Sequence, residues 1–149
     1  MNIVNLEPLC ASYGIKLVGG NESLTEKENV ITKALGVLVE KGIFAMTTFL
    51  MTVDKPQKYS EYILMTLADM LADDKLKLLP QNWRRNNEHP RDRQQTQRDN
   101  GKLLRLLEDM RKITEELPRL LLARKVLEET LTFARYHCKA VRKFPVNGV

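Results

Sequence analysis

Side-chain catalysis needs a base within hydrogen-bond reach of a nucleophile, or a metal held by several ligands. The chain offers few such groups: two histidines, His89 and His137, and two cysteines, Cys10 and Cys138. No CxxC or CxxH spacing occurs, and the adjacent His137 and Cys138 point different ways on a helix. The carboxylate pairs Asp73-Asp74, Glu115-Glu116 and Glu128-Glu129 are likewise chain neighbours, and read as solvated helix surface rather than acid–base machinery. Neither GxGxxG nor GxxxxGK[ST] is present, so no phosphate cradle of those kinds is expected. The expectation is a protein that is not an enzyme, holds no metal or cofactor, and keeps two buried, reduced thiols in the cytoplasm.

Arginine carries the stronger signal. Residues 1–80 hold eight Lys, no Arg and ten Asp/Glu, a net of −2. Residues 81–149 hold eleven Arg, five Lys and nine Asp/Glu, a net of +7, which brings the whole chain to +5. One half therefore reads as scaffold and the other as facing an anion. Two clusters stand out. The first is Arg84, Arg85, Arg91, Arg93 and Arg98, with Trp83 beside them. Arginine forks match phosphate oxygens, and an indole ring can stack on an unpaired base. The second is Arg135, Lys139, Arg142 and Lys143, whose spacings of four, seven and eight share a helical face. Cations near a helix C-terminus also oppose the helix dipole, so that stripe is stabilising without any ligand. Glu88, Asp92 and Asp99 interrupt the first cluster, a pattern that suits backbone contact without sequence reading.

The elements that must position these residues are helical. At 149 residues and 43% hydrophobic content the chain suits one globular domain. Its longest apolar run, Ile43 to Val53, is too short to span a bilayer, and no secretory signal opens the sequence. Residues 1–22 read as an irregular segment: Ile3 to Leu6 and Ile15 to Val18 as short strands, or Pro8 opening a helical turn that Gly14 ends. Residues 23–80 form an apolar helical half. Ser23 and Thr25 each begin a capping box, and Gly42 supplies a stop. Ile43 to Val53 reads as a buried central helix, and a third helix is predicted from about Ser60 to Leu78, with Thr66, Asp69 and Asp73 as its wet stripe. Residues 81–100 form an Arg-rich polar loop. Residues 101–149 hold basic amphipathic helices and a tail, with Pro118 as a kink or a helix start. A heptad seam there runs through Leu120, Leu127, Ala134 and Val141, with Leu131 and Cys138 at the other position. The fold expected is all-α, a small bundle of about five helices in one domain.

With its size, the helical run Thr25 to Leu50 and the Arg-bearing half from Arg84 onwards, the chain resembles the small helical subunit of multi-subunit CRISPR RNA-guided surveillance complexes of the Cascade type. The resemblance covers residues 23–143 and rests on no diagnostic motif. It implies a non-catalytic structural subunit of an antiviral complex. Its partners would be other subunits, further copies of itself, and a guide RNA–target duplex or displaced single-stranded DNA. An irregular first segment would suit a subunit translated from an internal start in a longer gene.

Two other readings remain. A helical adaptor binding only proteins would use the heptad seam and a methionine-lined groove of Met46, Met51, Met65 and Met70. Those methionines read more simply as core. A helix-turn-helix over Leu35 to Phe49 fails on chemistry, because Ile43 to Val53 offers base edges only three threonines.

Overall fold

The computed structural model describes residues 5–85 and 100–144. Among them are six α-helices, one short 3-10 turn and no strand. The helices are α1 (Glu7–Leu17), α2 (Leu24–Lys41), α3 (Ile43–Thr52), α4 (Gln57–Leu71), α5 (Asn100–Ile113) and α6 (Leu117–Lys143). The all-α bundle is as expected, with six helices in place of about five.

The extra helix is α1, which corrects the irregular reading over residues 7–17; Ile3 and Val4, the start of the first expected strand, lie outside the described residues. Pro8 does open it, since a missing N–H is harmless in a first turn. Gly14 does not end it. A Cβ at Gly14 would stand 2.9 Å from the Phe133 ring and 3.2 Å from the Thr130 carbonyl oxygen, so this glycine lets α1 and α6 approach closely. The carbonyls at the end of α1 are satisfied from other elements. Tyr62 donates its hydroxyl to Lys16 O at 2.6 Å, and Lys27 Nζ donates to Val18 O at 2.8 Å and Gly20 O at 3.0 Å. Burial holds the Lys27 ammonium below its ordinary pKa.

Helix α2 begins as its sequence dictates: Ser23 is the N-cap and accepts the Glu26 N–H at 3.2 Å. Gly42, at φ 98°, ends α2 and starts α3, a backbone only glycine takes without strain. The central helix is α4 rather than α3. In α3, Met46 and Leu50 are buried but Phe44 is 42% exposed. Its three threonines bond carbonyls of their own helix, which lets them sit in an apolar run. In α4 nearly every side chain from Tyr59 to Leu71 is buried. The expected wet stripe is therefore inverted at Thr66 and Asp69, both inside.

Helix α4 also stops seven residues short of the expected Leu78. The Asp73 carboxylate accepts the Lys75 N–H at 2.9 Å, a local turn that competes with helix continuation. The chain then folds back, with the Leu78 and Leu79 N–H groups both donating to Leu71 O. Pro118 opens α6 rather than kinking it, so α5 and α6 are separate helices. The predicted seam is the buried face of α6: Leu127, Leu131, Ala134 and Cys138 are fully inside, against α1 and α2. Met46, Met65 and Met70 belong to the same core, not to an open groove.

Candidate nucleic-acid interface

The first arginine cluster divides at residue 85. Arg91, Arg93 and Arg98 lie outside the described residues, as does His89. Trp83 sits in the short 3-10 turn Gln81–Trp83 with only 2% of its surface exposed. Its Nε1–H donates to Asp109 Oδ2 on α5 at 2.8 Å. The expectation that this ring stacks on a base is corrected: both its faces are in the core. An aromatic in a polar run is ambiguous in sequence, and here it anchors the chain between α4 and α5.

Arg84 closes the same anchor. Its Nε lies 3.2 Å from Asp69 Oδ1 and its Nη1 lies 2.7 Å from Asp73 Oδ2. The Arg85 backbone N–H adds a bond to Asp69 Oδ1 at 3.3 Å. Burial pushes the Asp73 carboxyl up, but the Lys75 N–H and the Arg84 guanidinium outweigh it, and the carboxyl rests below its ordinary value. Tyr13, buried beside Asp69, is pushed up to about 12. These are the pairings of a half-buried structural clamp, with Arg84 engaged by protein carboxylates rather than turned to an external phosphate.

The second cluster is also split. Arg142 reaches across to α2, its Nη2 2.6 Å from Glu28 Oε2. Arg135 is half-buried, and its Nε has no hydrogen-bond partner among the described residues. Lys139 and Lys143 are exposed. Each ammonium lies 5.7 Å from the centroid of a neighbouring ring, Lys139 over Tyr136 and Lys143 over Phe144. Those rings are among the most exposed apolar side chains described, Tyr136 at 65% and Phe144 at 71%. Sequence reading chose the cations here and missed the rings. The signal was present in the alternation of Tyr136, Lys139, Lys143 and Phe144 along one helix.

From Thr130 to Phe144 there are four Lys and Arg and no carboxylate. This end of α6 thus combines two exposed ammonium groups and two exposed rings, and the one acid that reaches it, Glu28 of α2, is held by Arg142. Both thiols are buried, Cys138 on the inner face of this same stretch, and burial pushes both up in pKa. Among the described residues no three His, Cys, Asp or Glu side chains gather as metal ligands, and no helix is long and apolar enough to cross a membrane. No protein-family model, curated protein or solved structure matches the chain.

Proposed function

We propose that this chain is a non-catalytic nucleic-acid-binding subunit of a larger assembly, one that grips the phosphate backbone without reading sequence. The observation that carries the reading is the C-terminal end of α6, where Lys139 and Lys143 stand exposed beside the exposed rings of Tyr136 and Phe144. Ammonium groups neutralise phosphates, and a ring beside them offers a surface on which any base can stack. Among the described residues no helix presents a row of Asn, Gln and Arg suited to base edges, which supports a contact indifferent to sequence. Arg91, Arg93 and Arg98 would add phosphate contacts of the same kind.

The setting is the one the family resemblance implies, an RNA-guided antiviral complex of the CRISPR type. The phosphate backbone would be that of the guide–target duplex or the displaced strand. Genes for repeat-associated nuclease and backbone subunits beside the gene for this chain would support that setting, and unrelated neighbours would remove it.

The binding itself is tested by fluorescence anisotropy with single-stranded DNA, duplex DNA and an RNA–DNA heteroduplex, each in two unrelated sequences. The expected result is binding that differs little between sequences and is lost in Lys139→Glu/Lys143→Glu, while Lys33→Glu/Lys41→Glu on α2 binds like the parent. Equal binding by the two variants would overturn the assignment to α6.

A further inference from the structure

Helices α1 and α6 run parallel, since Cys10 faces Val126 while Gly14 faces Thr130 to Ala134. Along one side of their seam lies an open groove of about 800 Å³. Its apolar lining comes from Leu6 and Ala11 of the α1 side and from Leu122, Val126 and Phe133 of α6, with Tyr136 at one end. Phe133 and Tyr136 are 40% and 65% exposed, so the aromatic part of the lining is uncovered. The rim carries Glu7, Glu128 and Glu129 against Lys125 alone. Arg124 already holds Glu128 at 2.9 Å, whereas Glu7 and Glu129 make no ion pair among the described residues. On a chain of net charge +5 this is an acidic border around an apolar trough.

We infer that this groove docks an amphipathic helix of a partner protein, apolar on the face that enters the trough and carrying Lys or Arg along its edges. Length decides for a helix. The α6 wall runs from Leu122 to Tyr136, roughly 21 Å at about 1.5 Å per residue. A helix of about four turns matches that wall, about half of it seated between α6 and the Asn5 to Ala11 side, and would be read by anchors at every third and fourth position. Charge decides the partner's edges: the rim carboxylates favour cations and repel phosphate, so nucleic acid is directed away from this face. The groove is thus a second surface, which meets the basic end of α6 at Tyr136, and would let the chain hold a protein beside a nucleic acid.

The test is a selection of displayed random 16-residue peptides on the full-length protein, followed by anisotropy of the enriched peptides. The enriched peptides should carry apolar residues at spacings of three and four with flanking Lys or Arg. They should bind Ala11→Trp, which fills the trough, at least tenfold more weakly. The exposed double change Glu7→Lys/Glu129→Lys should weaken the same peptides comparably, and guards against misfolding of the tryptophan variant. Lys33→Glu/Lys41→Glu on α2, away from the groove, should leave peptide binding intact. A selection that enriches no peptide, enriched peptides without cations, or peptides that bind both groove variants as well as the parent would each overturn the inference.

Discussion

Two glycines in helices should respond to the same substitution with opposite sign. At Gly36, inside α2, a new Cβ would meet nothing within 4 Å. Gly36→Ala therefore gains helix propensity alone, about 0.8–1 kcal/mol. At Gly14 the same gain is opposed by packing. The added methyl would lie 2.9 Å from Phe133 Cδ1, 3.2 Å from Thr130 O and 3.3 Å from Ala134 N. The ring can swing away, because Phe133 is 40% exposed, but the two backbone atoms move only if α1 and α6 separate. Overpacking of this kind costs roughly 1–3 kcal/mol, which exceeds the propensity gain and leaves a net loss of about 1 kcal/mol. For a chain of this size 1 kcal/mol shifts the melting temperature by about 2–4 °C. Thermal unfolding followed by circular dichroism should place Gly36→Ala about 2–4 °C above the parent and Gly14→Ala about as far below. Adding Phe133→Ala to Gly14→Ala should not restore the parent value, since the backbone contacts persist. A Gly14→Ala protein stabilised as much as Gly36→Ala would refute the close helix crossing, and with it the placement of α1 against α6.

The clamp around Arg84 makes stability depend on acid. Asp73 titrates below its ordinary value in the folded chain, so its contribution is present above pH about 4 and lost as pH falls through the depressed value. Denaturant unfolding between pH 6 and pH 2 should show that loss, and Arg84→Gln should shrink it; an unchanged profile would mean the pair is not formed in solution. Trp83 is the sole tryptophan, so its fluorescence reports one site. Acrylamide should quench it poorly in the folded protein and readily in denaturant, and nucleic acid at low salt should leave it unchanged. Asp69→Ala leaves the Arg85 N–H and the Arg84 Nε–H without that acceptor and should cost about 1–3 kcal/mol, read from the urea midpoint.

Much of the architecture is written in local sequence. Ser23 and Gly42 bound α2 because a cap and a left-handed turn are decided by a few neighbouring residues. The seam of α6 is legible because a long amphipathic helix repeats its signal over many turns. The misreadings have a different cause. Asp69 read as solvent-facing because its partners come from a distant segment, Trp83 to Arg85, which folds back over α4. Gly14 read as a stop because its close neighbour, Phe133, is more than a hundred residues away. The candidate site was half visible. Charge alone marked the end of α6, but it also marked Arg84 and Arg142, whose carboxylate partners only the tertiary structure supplies. The ring exposure that distinguishes Lys139 and Lys143 from them is a property of packing, not of composition.

The most direct test of the nucleic-acid reading is the salt dependence of binding to single-stranded DNA. Each phosphate neutralised contributes about −0.7 to the slope of log affinity against log salt. If Lys139 and Lys143 each neutralise one phosphate, Lys139→Ala/Lys143→Ala should bind more weakly and flatten the slope by about 1.4. Helicity and melting temperature should stay at parent values, because both side chains are exposed. A variant with the parent's affinity and the parent's slope would contradict the account.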